Sequence, residues 1–421
     1  MQSMSSALRG FDEAAAVVMR RARELGRTAP AVEQLDLSAV RGRVLAGPLL
    51  ADVDQPAFAR STRDGFAVRS HELAGFNWLP VVGSTRAGEY SAAPLPENAA
   101  WEIMTGATLP VGADAVVMIE YVEREGDCVR MLSDRTIKPG ENFVERGTQA
   151  RSSDRLLEAG TVLGPAQIAL AAACGYATAE VYQRPRVAIL TTGDELVHVE
   201  SIPGPGQIRN SNAPMLEALV EAEGGDFWMG LTATDSAESL NTALALAMES
   251  DLLLISGGVS AGKFDLVEPA LERLGATFHF TGVRMQPGKP LVFGELPRER
   301  QERRTLPFFG LPGNPISSAV TFLLFAAPML KALAGCRELG PRFAAAILSQ
   351  NTDRKAKPGL TRFLPGRCDF NPEGGGMPQV ATVPWHGSGD LPAFARSNCF
   401  VVVPQDRAGL EAGTTVRILR I

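Results

Sequence analysis

Between residues 186 and 330, apolar runs alternate with stretches of helical spacing, and this alternation constrains the fold more than any other feature. RVAILTT (186–192) reads as a buried strand, and DFWMGLTA (226–233) and DLLLIS (251–256) read as strands. Pro214 to Glu223, Asp235 to Glu249 and Asp265 to Leu274, which follow them in turn, read as helices. The last two open Asp-x-x-Glu, through Asp235 with Glu238 and Asp265 with Glu268, as a capping box does. TFHFTGV, PLVFGE and PFFGL add strand-like runs, and Asn314-Pro315 begins a long apolar helix with a capping residue and a proline at the first position. Strand, loop and helix in repetition predict a mostly parallel sheet covered on both faces.

Open sheets of this kind bind ligands beyond the carboxyl ends of their strands. Four strand-end loops are expected on that edge: TTGDEL (191–196), ATD (233–235), SGGVSAGKFD (256–265) and LPGNPIS (311–317). Glu195, Asp235 and Asp265 supply hard oxygen ligands suited to a magnesium-type ion bridged to a phosphate. Gly257, Gly258, Gly262 and Gly313 allow close backbone approach to an anion, while Ser260, Lys263 and Ser317 are placed to donate hydrogen bonds to its oxygens. Asp235 and Asp265 read equally well as plain helix caps, a role compatible with coordination. In RMQPGKP (284–290), Lys289 follows a tight Pro-Gly turn, where a lysine can serve as a fixed charge or simply face solvent.

A chain of 421 residues is too long for a single ordinary core. Residues 11 to 26 have helical spacing, with Phe11, Ala15, Val18, Met19 and Ala22 on one side. Residues 50 to 150 read as a β-rich module, with strands at 101–104 and 115–119 and a turn at Gly126-Asp127. Within it Asp64-Gly65 reads by default as a turn. Around 153 to 175 the pattern returns to helix (AQIALAAACG), stopping at Gly175, and a separate small β domain is expected after residue 340. PRERQERRT (297–305) reads as a solvated hairpin tip.

The net charge of −6 and the lack of a basic stripe argue against nucleic-acid binding. The N-terminal stretch reads as neither an export signal nor a membrane span. The most apolar stretch, Ser317 to Leu330, is shorter than the ~20 residues a span needs and reads as a buried helix. Five scattered cysteines, never spaced C-x-x-C, point to a reducing cytoplasm and no structural zinc. The four histidines have no metal-ligand spacing, and no nucleophilic triad can be assembled.

Taken together, FARSTRDGFA (58–67), IMTGATLPVGADAVVM (103–118), TGDEL (192–196), SGGVSAGKFD (256–265), PGKP (287–290) and GLPGNPIS (310–317) resemble the molybdenum insertases. These are also called molybdopterin molybdotransferases, and the family includes the C-terminal domain of gephyrin. The resemblance implies a multidomain fold in four parts: an elongated helical and linker domain (1–50 and 151–182), a β-rich inserted domain (51–150), a mostly parallel α/β domain resembling the molybdopterin adenylyltransferases (183–334) and a small C-terminal β domain (335–421). It implies a homodimer in the cytoplasm whose active site joins the α/β domain of one subunit to the β-rich domain of the other. No membrane partner is implied, although other proteins of the cofactor pathway are candidates.

The implied reaction takes adenylylated molybdopterin and molybdate to molybdenum cofactor and AMP, with Mg2+ or another divalent cation. Carried over by motif, Glu195 and Asp265 would hold the cation, and Asp64, Thr105, Asp235 and Lys289 would be catalytic. Gly257, Gly258, Ser260, Gly262, Lys263, Pro312, Gly313, Asn314 and Ser317 would hold the substrate. Three segments depart from the family pattern. Asn-Ser-Ala-Met-Asp-Gly-Tyr reads here as Arg60 to Phe66 (RSTRDGF), a usual Arg-Gly-Glu-Asp reads Arg146-Gly147-Thr148-Gln149, and Gln286 stands where many members have lysine. The loss of two carboxylates at 148–149 supports an alternative, a non-catalytic cofactor-binding or scaffold paralogue. A molybdopterin adenylyltransferase is the third reading, and it would need little beyond the α/β domain.

Overall fold

The computed structural model describes residues 8–73, 77–90, 93–132, 135–234, 236–258, 266–298, 305–352, 359–371 and 375–421. At its centre is a six-stranded sheet in the order Asp226–Ala233, Arg186–Thr192, Leu252–Ser256, Thr305–Leu311, Val292–Pro297, Thr277–Phe280. The first four strands are parallel; Val292–Pro297 runs antiparallel to them, and Thr277–Phe280 antiparallel to it in turn. Every residue of Leu252–Ser256 is buried, which explains its unbroken apolar run: a central strand covered on both faces has no polar side to show.

Alternate residues of these strands feed two cores. Val187, Ile189, Leu252 and Leu254 face the helices Phe11–Leu25, Asn212–Ala222 and Pro315–Leu333. Ala188, Leu190, Leu253 and Ile255 face Ala237–Ala247 and Val267–Arg273. The helix Pro315–Leu333 is long and apolar enough to cross a bilayer, but 94% of its most apolar window is buried inside the protein, so it is a core helix. Its middle, Phe322–Ala326, widens to a π-helix just before Pro328. A proline there lacks the N–H for a regular turn, and the wider turn accommodates it.

Local details differ from expectation. The buried face of Phe11–Leu25 is Phe11, Ala14, Val17, Val18 and Ala22, so Ala14 and Val17 stand where Ala15 and Met19 were expected. The helix after Asp226–Ala233 starts at Ala237, capped by Ser236, whose Oγ accepts from Ser239 N at 3.2 Å; the Asp235 to Glu238 capping box is replaced by this serine. Asp235 itself lies outside the described residues, as does Asp265, which was expected to open the helix that runs Val267–Arg273. Asn314 precedes Pro315 as expected, yet its side chain makes no capping bond.

Residues 340 onward form a barrel. Strands Thr361–Asp369, Gln379–Thr382, Phe343–Leu348, Thr415–Arg420 and Cys399–Val403 pair in sequence, and the last pairs again with the first. Two segments distant in sequence extend it: Val283–Gln286 pairs with Thr361 and Arg362, and Arg9–Gly10 pairs with Val283 and Arg284. Phe363, Phe400, Val402 and Leu419 of the barrel join the same core as Pro315–Leu333, so the two domains share an interior.

The β-rich module is a six-stranded sheet whose neighbours include Ala115–Met118, Gly65–Val68 and Ala100–Ile103. The turn at Gly126-Asp127 joins Val122–Glu125 to Cys128–Met131. Around its base, Val32–Asp36 pairs with Thr178–Tyr182 and Leu49–Leu50 with Arg155–Leu157, over a small core that includes Val40, Leu45, Leu163 and Ala171. The charged segment 297–305 lies mostly outside the described residues, but the strands leading into it pair from Val292 with Gly310 to Pro297 with Thr305.

Candidate functional site

Beyond the carboxyl ends of the parallel strands lies a cavity of about 410 Å³. Thr191, Thr192 and Glu195 reach it from the first strand-end loop, Ser256 and Gly257 from the third, and Gly313, Asn314 and Pro315 from the fourth. The loops need their glycines. Gly257 has φ +93°, and a Cβ there would lie 2.6 Å from the Thr192 carbonyl oxygen. A Cβ on Gly193 would lie 2.4 Å from Glu195 Oε2, so the bare backbone at 193 makes room for that carboxylate. Arg209 lines the same cavity, its Nε donating to Ser201 O at 2.9 Å. It is the one cation among the described lining residues and stands with the exposed Glu195 in a site otherwise built of neutral polar groups, glycines and a few apolar residues such as Leu196 and Ile208.

The walls are braced by two amides, Asn210 and Asn212, that no motif in the sequence singled out. Asn210 Nδ2 donates to Thr191 Oγ1 at 2.9 Å, and its Oδ1 accepts from Ala213 N at 3.1 Å. Asn212 Nδ2 donates to Ser256 Oγ at 2.8 Å and to Gly313 O at 2.7 Å, linking the third loop to the fourth. The C-terminal barrel closes one side through Gly389 and Leu391. Ile316 N donates to Ser388 O at 3.0 Å, fixing that loop to the start of Pro315–Leu333. The one sequence signal for these groups was composition: Asn-Ser-Asn and Gly-Ser-Gly-Asp are polar, turn-forming runs beside apolar ones.

Of the expected site residues, Glu195, Gly257, Gly313 and Asn314 meet at this cavity. Gly258, Pro312 and Ser317 sit in the same loops without lining it, and Ser317 is buried in the helix. Lys289 is exposed after the strand Val283–Gln286, and its backbone carbonyl accepts from Val283 N at 2.9 Å. Asp235, Ser260, Gly262, Lys263 and Asp265 lie outside the described residues. Among the described residues, no three histidine, cysteine, aspartate or glutamate side chains cluster as a preformed metal centre.

Asp64 and Thr105 meet in the β-rich module, which contributes none of the cavity's lining residues. Thr105 donates its backbone N–H and its hydroxyl to Asp64 Oδ1, both at 2.7 Å. These two bonds, the backbone one first, hold the exposed carboxyl below its ordinary range. The two loops are tied as well: Gly106 N donates to Ser61 O at 2.8 Å and Ser61 N to Ala107 O at 3.0 Å. Gly65 is required because a Cβ there would lie 1.9 Å from Val117 O. Arg60 and Arg63, which precede this aspartate in the chain, are exposed. The altered 146–149 loop is held by its own bonds. Arg146 Nε donates to Asp54 Oδ2 at 2.7 Å, and Ser152 N donates to Asp54 Oδ1 at 2.9 Å.

Comparison with known proteins gives one consistent picture. Residues 9–175 match the MoeA N-terminal region (domain I and II), 188–332 a probable molybdopterin binding domain, and 350–421 the MoeA C-terminal region (domain IV). The chain is similar to a molybdopterin molybdenumtransferase of Haemophilus influenzae, at 35% identity over 92% of this chain and 93% of that one. A molybdopterin molybdenumtransferase of Nostoc sp. is 34% identical over 92% of this chain and 88% of that one. The fold is similar to the crystal structure of a molybdopterin biosynthesis moeA protein from Pyrococcus horikoshii OT3, with a TM-score of 0.79 and 27% identity, covering 98% of this chain and all of that one, 100%.

Proposed function

Because the chain belongs to the molybdopterin molybdenumtransferase family, whose members are enzymes, we propose that it inserts molybdate into adenylylated molybdopterin, forming molybdenum cofactor and releasing AMP. The observation that supports this reading is the convergence of Glu195, Gly257, Gly313 and Asn314 on one cavity at the carboxyl edge of the sheet. Cleaving a phosphoanhydride asks for positioning and charge stabilisation more than for a nucleophile from the protein. The cavity has the parts for that. Glycine loops admit phosphate oxygens close to the backbone, Arg209 and the N-terminal end of Pro315–Leu333 provide positive potential, and Glu195 provides a hard anionic ligand.

Magnesium fits this donor set, since it commonly takes one or two carboxylates together with substrate phosphates instead of a full protein cage. Glu195 would hold it, joined by Asp265. The ion would neutralise charge on the phosphates as the adenylate leaves, while the protein keeps the two reacting groups aligned. Asp235 and Lys289 complete the polar surroundings, and Ser260 and Lys263 hold anionic oxygens, whereas Ser317, expected to do so, is buried in the helix and supports the loop from behind. Asp64, kept ionised by Thr105, acts on the cavity of the partner subunit in a homodimer, which agrees with its absence from the cavity wall of its own chain. The protein works in the cytoplasm.

The test is reconstitution. Purified protein is incubated with adenylylated molybdopterin, molybdate and Mg2+, and a molybdenum-free apo-oxidoreductase reports the cofactor formed. Cofactor that depends on both molybdate and the cation supports the proposal, and Glu195→Gln should abolish it. Cofactor yield equal to a protein-free control sinks it.

A further inference from the structure

The cavity contains two polar atoms that the described residues leave unanswered. Thr192 is 7% exposed and lines the cavity, and its Oγ1 is buried with no hydrogen-bond partner among the described residues. Asn212 is fixed in orientation. Gly313 O can only accept, so the amide nitrogen must face it, and the second Nδ2 proton goes to Ser256 Oγ. Its Oδ1 is therefore turned the other way, buried and without a partner. The glycine pair keeps side chains off the threonine hydroxyl, since a Cβ would lie 3.0 Å from it at Gly257 and 2.7 Å from it at Gly258.

An amide oxygen accepts and cannot donate. Phosphate, pyrophosphate and molybdate oxygens are also acceptors, so an anion placed against Asn212 Oδ1 would meet repulsion and leave the atom still unpaired. A buried acceptor of this kind is satisfied by an N–H. We infer that Thr192 and Asn212 form the recognition site for the N–H-bearing edge of a fused nitrogen heterocycle, so that this corner of the cavity orients the ring end of the substrate while the glycine loops take the phosphates. Thr192 Oγ1 can accept from a ring amino group or donate to a ring nitrogen or carbonyl. Two rings in the proposed substrate have the required chemistry: the 2-amino-4-oxo edge of the pterin and the 6-amino edge of adenine. The inference rests on the substrate reading above and assigns specific residues to one end of it.

The decisive variant is Thr192→Val, which keeps the volume and removes a hydroxyl that bonds to no other described group. Its melting temperature should equal or exceed that of the native protein. The full-length protein and T192V are titrated calorimetrically with AMP, with 2-amino-4-oxopteridine and with inorganic pyrophosphate. The expected result is at least about fivefold weaker binding of one heterocycle, with pyrophosphate affinity unchanged. Loss confined to the pteridine places the pterin at Thr192, and loss confined to AMP places the adenine there. If T192V binds both heterocycles as tightly as the native protein, the inference is overturned. It is also overturned if the native protein binds pyrophosphate but neither ring, an outcome that leaves the phosphate site intact. If the native protein binds none of the three, the substrate reading falls along with it.

Discussion

Replacing Glu295 by glutamine should weaken the polar tie between the first helix and the α/β domain at a measurable cost, while the helix keeps its apolar contacts. Glu295 is 4% exposed and accepts four hydrogen bonds. Arg21 donates from Nε at 2.6 Å and from Nη2 at 2.7 Å, His279 Nε2 lies at 2.9 Å, and Thr305 Oγ1 donates at 2.7 Å. The carboxylate thereby ties the helix Phe11–Leu25 to three strands of the sheet. Burial alone would raise its pKa. The bonds from His279, Arg21 and Thr305, with the Arg21 charge, outweigh burial and bring it down from 4.5 to about 2. By linkage, that difference corresponds to about 3 kcal/mol in favour of the native state. Removing one member of a buried pair costs about 3–5 kcal/mol in other proteins, which agrees.

The sign follows from the depressed pKa. The contribution is complete above pH 4.5, the ordinary value, and is lost as pH falls through about 2. For a cooperative unit of this size, about 3 kcal/mol corresponds to a melting temperature lower by roughly 6–12 °C. Thermal unfolding of the native protein and Glu295→Gln, followed by circular dichroism from pH 8 to pH 3, should show a constant gap down to about pH 5 that narrows below it. Equal melting temperatures at pH 7, or a gap that stays constant to pH 3, would refute the reasoning.

Three further outcomes are expected. Asp64→Asn keeps an acceptor for both Thr105 bonds and removes only the charge, so cofactor formation should fall by about tenfold or more while the melting temperature holds; a lower melting temperature with unchanged activity would reverse that assignment. Gly257→Ala forces a Cβ to within 2.6 Å of the Thr192 carbonyl at a φ of +93°, and should destabilise the α/β domain by about 1–3 kcal/mol in urea unfolding, with loss of pyrophosphate binding. Cys399 is fully buried, and burial with the neighbouring Cys368 pushes its thiol up to about 12. Iodoacetamide at pH 8 should therefore leave it unmodified until the barrel unfolds, as peptide mass spectrometry would show.

The α/β core was legible because its central strands are buried on both faces. RVAILTT and DLLLIS have no exposed side, and a run without polar interruptions is the direct consequence. The family assignment was legible for a different reason: the loop motifs occur together and in order, and the matches over 9–175, 188–332 and 350–421 agree with it. Helix caps were less legible. Asp235 and Ser236 are both good capping residues, and only the backbone geometry selects the serine. The barrel's use of Val283–Gln286 and Arg9–Gly10 left no local trace, since pairing between distant segments does not show in the periodicity of either. The same limit hid part of the cavity. Gly389 and Leu391 reach it because the barrel docks on the start of Pro315–Leu333, and Asn212 matters through what it bridges, which spacing in the chain does not reveal.

The most direct test of the account is the stoichiometry of AMP release. Purified protein, Mg2+ and radiolabelled adenylylated molybdopterin are mixed with and without molybdate, and AMP and cofactor are counted in the same samples. The account predicts that AMP appears with molybdate in equal amounts to the cofactor formed, and that chelating the cation stops both. Tight retention of the adenylylated substrate with no AMP, beside an active control insertase, would contradict it and point to a cofactor-holding role instead.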